Sequence, residues 1–125
     1  MTENEREEFA KLIIHHVRDM AIKSCDSQLH TKNLNSPTAK RWNEALKEGD
    51  PIKFAEMIIT DSIDDAIFYF LLAIDDELIN VSFKSADGDN LEFTSDNYLG
   101  ELAGWYSGEW RMKYSNERSF NDFED

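Results

Sequence analysis

Cysteine, proline and glycine are all scarce in this chain: one, two and five residues of 125. Basic residues are scarce as well, 13 against 26 acids. Each shortage excludes something. The single cysteine, Cys25, has no second cysteine with which to form an internal disulfide, so the fold is expected to rest on its own core. The longest apolar run, Ala66 to Ile74 with Tyr69 inside it, falls far short of the roughly 20 residues needed to cross a bilayer, so no membrane span is expected. The opening MTENEREEF is charged where a secretory signal carries an apolar core, which points to the cytoplasm. A lysine- and arginine-rich face is what displaces counterions from a phosphate backbone, and the shortage of bases argues against nucleic acid as a partner.

What is present in excess is negative charge, and it is unevenly placed. The formal net charge is −13. Residues 49–99 carry twelve acids and only Lys53 and Lys84, or −10, whereas residues 1–48 are neutral in sum. An acidic surface keeps a protein soluble, and it also favours cationic partners.

The hydrophobic period is helical over most of the chain. Phe9, Leu12, Ile13, His16, Val17, Met20 and Ser24 form one stripe, which predicts an amphipathic helix over residues 4–28 with His16 on its apolar edge and His15 exposed. Ser36-Pro37 supplies an N-cap followed by proline at the first helical position. That helix should bury Trp42, Ala45 and Leu46 and end at Gly49 in a left-handed cap. Asp50-Pro51 opens the next helix, whose apolar positions Ala55, Ile59, Ile63, Ala66, Ile67, Phe70, Leu71 and Ile74 are expected to face inward. Thr60-Asp61-Ser62 predicts a kink within it, because these residues favour caps over helix interiors. AIFYFLLAI, apolar nearly all round, reads as the centre of the fold.

Beyond Glu77 the period falls to two. Ile79, Val81 and Phe83, then Leu91 and Phe93, predict two short strands joined at Asp87-Gly88, with these five side chains laid on a helix. A last helix is expected from Ser95 or Asp96 to Tyr114, ahead of an aromatic, acidic tail with Phe120 and Phe123. The fold class is therefore α+β: a mostly helical single domain over residues 1–125 with a central apolar helix and one antiparallel hairpin.

Gly100, Gly104 and Gly108 fall inside the last helix, where each costs roughly 1 kcal/mol relative to alanine. Four-residue spacing places them on one face. The preferred reading is a bare strip against which the bulky central helix packs; the alternatives are a break near Gly108 and a cleft where a ligand approaches the backbone. The segments DDAIFYFLLAIDD and GELAGWYSGEWRMKYSNERSFNDF resemble small acidic bacterial proteins of unassigned function, a likeness covering residues 50–125. The resemblance implies no catalytic or binding residue.

The chemistry-bearing residues are few. Asp61, Asp64 and Asp65 share one side of a helical turn, where acids at a helix start are a better reading than a hard-cation site. His15 and His16 are about 100° apart on a helix and make a poor metal pair. Cys25 carries no signature of an activated nucleophile. Catalytic residues, metal and cofactor are accordingly expected to be absent. The expected activity is that of a protein-binding module of the inhibitor or immunity type, recognising a basic protein through Asp61, Asp64, Asp65, Asp75, Asp76 and Glu77, with Trp105 and Trp110 as aromatic anchors. The rival is a small-ligand-binding or enzymatic domain with a pocket beside the glycine strip. The sequence names neither the partner nor the oligomeric state.

Overall fold

The computed structural model describes residues 2–30, 36–94 and 101–117. Helix α1, Glu3–Ile13, starts with a full capping box: the Glu5 backbone N–H donates to Thr2 Oγ1 and the Thr2 N–H to the Glu5 carboxylate. It continues without interruption through a π-helical segment, Ile14–Arg18, into α2, Asp19–His30. The wide π turn shifts the phase of everything after it. The stripe that placed His16 on the apolar edge assumes a constant helical period, and the structure corrects it: His15 and His16 are both exposed, while Val17, Ala21, Ser24 and Cys25 turn inward.

Helix α3, Pro37–Glu48, begins at the Ser36 cap and ends at Gly49 with φ +74°. It buries Ala39, Trp42 and Ala45, but Leu46 is exposed. Helix α4, Pro51–Asp75, starts at Asp50, whose carboxylate accepts the Lys53 N–H, and runs straight through the expected kink. Thr60 stays helical by donating its hydroxyl to the Glu56 carbonyl one turn back. The helix ends in a Schellman arrangement: the Leu78 N–H donates to the Ala73 carbonyl and the Glu77 N–H to that of Ile74. Glu77 occupies the left-handed position, φ +58°, where glycine is usual.

Strands β1, Ser82–Lys84, and β2, Asn90–Glu92, pair antiparallel with Phe83 opposite Leu91. The turn is closed by the Gly88 N–H to the Ser85 carbonyl and the Ser85 N–H to that of Asp89, with Gly88 at φ +91°. Of the five hairpin residues expected on a helix, Ile79 is buried and Val81 and Phe93 pack on the core, but Phe83 and Leu91 are exposed. Helix α5, Leu102–Trp105, passes through a second π-helical segment, Tyr106–Trp110, into α6, Arg111–Tyr114. The helical run starts at Leu102 rather than near Ser95, and it is capped from a distance: the Asp75 carboxylate accepts the backbone N–H groups of Leu102 and Ala103. Ser95, Asp96, Gly100, Phe120 and Phe123 lie outside the described residues.

Helix α4 is the element the others share, touching α2, α3, α5 and both π-helical segments. The protein is a mostly helical α+β domain with this helix at its centre. One cluster of the core, Ala73, Ile74, Ile79 and Leu102, joins the end of α4 to the hairpin and α5.

Candidate functional site

The acids expected to form a recognition surface are turned into the molecule. Asp61 accepts Trp42 Nε1–H at 2.6 Å and pairs with Arg41 at 3.4 Å. Asp64 accepts the Tyr106 hydroxyl at 2.7 Å on one oxygen and Arg111 Nη1 at 3.0 Å on the other. The side chains of Asp64 and Arg111 are each only 15% exposed. Asp65 lies 3.5 Å from the Cys25 sulfur, which donates to it. Asp75 caps α5. Four of the six acids are thus internal tethers from α4 to other elements, and the picture of these residues as helix-start caps fails with them, because they lie within an unbroken helix. Asp76 and Glu77 are exposed at the end of α4.

A cysteine surrounded by acids is a poor nucleophile. Burial pushes the Cys25 thiol above its ordinary value; the Ser62 hydroxyl, 3.6 Å away, pulls it back, and Asp65 and Asp61 raise it further. The Tyr106 hydroxyl is pushed up strongly too, by burial first and then by its bond to the Asp64 carboxylate, with Arg111 opposing. Among the described residues no group of three or more His, Cys, Asp or Glu side chains is arranged to hold a metal ion.

Burying the aspartate side of α4 leaves its apolar side outside. Ile52, Ile59, Ile63 and Phe70 are 68%, 56%, 54% and 37% exposed, and Ala55, Ala66 and Ile67 lie between them on the same face. This is a correction of the expected inward face by half a turn. Phe54, Met57, Ile58, Phe68 and Leu72 take the inward positions together with Asp61 and Asp65.

Along one edge of the uncovered face runs a groove of about 650 Å³, floored by Ile59 and Ile63 and walled by Tyr106, Trp110 and Tyr114. The Asp64–Arg111 pair forms its inner edge and separates it from a polar crevice of about 240 Å³ that also holds Asp61, Asp65, Arg41 and Ser107. The π-helical segment positions the wall: its wide turn brings Tyr106 over α4, and the carbonyl of Ser107 accepts Arg111 Nε–H at 3.1 Å. Trp105 and Trp110 have their ring centroids 6.1 Å apart, tilted at 46°; Trp110 lines the groove, while Trp105 is exposed outside it.

The glycine strip does not pack against α4. Gly104 and Gly108 are exposed, and a Cβ added at either would meet nothing within 4 Å. No pocket wall stands beside them, which removes the geometric basis for a ligand site at that strip. The second π-helical segment, containing Gly108, is the change of helix geometry that the break reading anticipated at this place.

Sequence reasoning missed Ile59, Ile63 and Tyr114 as surface residues. A helix apolar on most sides gives no periodic signal for which side is covered, and the deciding partners, Arg41, Trp42, Tyr106 and Arg111, come from elsewhere in the chain. No family model matches the chain, and neither a curated protein nor a solved structure matches it.

Proposed function

We propose that this chain is a small acidic protein-binding module of the cytoplasm, without catalytic activity of its own, of the inhibitor or immunity type, and that its target is a basic protein. The observation that carries the reading is the groove beside α4. It offers aromatic and isoleucine side chains at the surface next to one engaged ion pair, the composition of a docking face with an anchor pocket. The acids contribute differently from the sequence expectation. Asp76 and Glu77 are exposed and supply local charge, the −13 total supplies long-range steering, and Asp61, Asp64, Asp65 and Asp75 hold the face in shape.

The test is affinity capture from the native cytoplasm with two baits, the natural chain and a Trp110→Ala, Tyr114→Ala double variant. A basic protein retained by the first and lost from the second supports the module. Equal retention by both baits, or nothing basic on either, sinks it.

A further inference from the structure

We infer that the uncovered face of α4 is the seam of a homodimer, in which two copies of this helix pack antiparallel about a two-fold axis at the level of residue 61. This rests on the reading of that face as an interaction surface and names what covers it when no target is bound.

The argument begins with an inversion. A helix at the centre of a small domain has its aspartates inward and a row of isoleucines outward, whereas burial should favour the reverse. The aspartates are accounted for by their donors on α3 and on the helical run from Leu102 to Tyr114. The isoleucines are accounted for only by something that covers them. An apolar face this continuous marks an interface.

The exposed side chains then select the occupant. Ile52 through Phe70 lie within about 60° of one line on the helix and extend over about 27 Å. A two-fold seam needs a surface that is complementary to itself, with residue i of one copy on residue j of the other and j on i. Inverted about residue 61, Ile59 falls on Ile63 of the second copy, Ile52 on its Phe70, Ala55 on its Ile67 and Glu56 on its Ala66. All eight of these positions are exposed. The remaining exposed residues of α4 are Pro51 and Lys53 at its start.

Charge permits the pairing. The exposed positions of α4 carry one acid, Glu56, and one base, Lys53, so the seam is neutral on a chain of net charge −13. Glu56 meets alanine rather than another acid. The acids outside the seam repel at longer range, where salt screens them. The self-association should therefore strengthen as salt rises, opposite to the binding of a basic target. Because Ile59 and Ile63 floor the groove as well, the second copy and the target compete for one face.

Sedimentation velocity of the purified full chain, from micromolar to hundreds of micromolar and at low and raised salt, tests this. The expected result is a monomer–dimer equilibrium whose dissociation constant falls with salt. Ile63→Asp and Ile59→Asp should each leave a monomer with unchanged helical circular dichroism. If either variant fails to fold, Ile59→Ser and Ile63→Ser replace them, with a dissociation constant raised at least tenfold. Phe83→Asp, on the exposed hairpin face, should leave the dimer intact. A chain monomeric throughout, a dimer indifferent to positions 59 and 63, one lost with Phe83→Asp, or one weakened by salt overturns the seam. The outcomes separate the two proposals. A monomer that still captures a basic protein through Trp110 and Tyr114 sinks only the dimer, and a dimer through Ile59 and Ile63 with no basic protein captured sinks only the target.

Discussion

Asp64 joins three parts of the molecule through its two oxygens: α4 on which it sits, Tyr106 and Arg111. Truncating it leaves a half-buried guanidinium and a phenol without their acceptor, so Asp64→Ala should destabilise by about 2–4 kcal/mol in urea. Tyr106→Phe, which removes one neutral donor, should cost about 1 kcal/mol. A double-mutant cycle between positions 64 and 106 should show coupling; strict additivity would mean that the bond contributes nothing. The same bond sets an alkaline limit. Tyr106 ionises at higher pH in the folded protein than in the unfolded chain, so the native state holds its proton longer and stability falls as pH rises past the ordinary tyrosine value of about 10. The Cys25 thiol acts in the same direction from its own ordinary value upward. Tyrosine absorbance during an alkaline titration should show one tyrosine ionising after the others and with unfolding, and Tyr106→Phe should remove that late step.

Helix ends and helix phase decide the rest of the local architecture. The caps at Thr2, Ser36 and Asp50 and the left-handed stop at Gly49 are short-range chemistry. Both π-helical segments sit where the constant-period reading goes wrong: the first exposes His16, the second swings Tyr106 onto α4 and leaves Gly104 and Gly108 facing outward. Gly104 is helical with open space beyond it, so Gly104→Ala should stabilise the protein by about 0.5–1 kcal/mol through the unfolded state and helix propensity. Even Gly104→Leu should be tolerated, which is the opposite of what close packing against α4 would require. A lowered urea midpoint in Gly104→Ala would mean that something packs on this face after all.

At the scale of the whole molecule, association kinetics should separate steering from shape. Reversing Asp76 and Glu77 to lysine changes the net charge from −13 to −9, and so does reversing Glu3 and Glu8 in α1. If the end of α4 borders the docking face, stopped-flow association with the captured basic protein should slow more for the first pair, and the difference should shrink with salt. Equal losses would assign the acids to general steering alone. Capping pairs, the Asp87-Gly88 turn, the hairpin, the helical majority and the central place of α4 were legible in the sequence, because each is written in residues adjacent along the chain or spaced by one period. Which side of α4 is covered was not legible. Asp61, Asp64 and Asp65 read as surface charge until Trp42 and Arg41 from one direction and Tyr106 and Arg111 from the other are brought against them. The chain by itself determined where helices begin, end and turn; the tertiary structure decided which of their faces meet water, because a buried acid is stabilised only by donors that folding delivers from distant positions, and on α4 those donors outweighed the isoleucines.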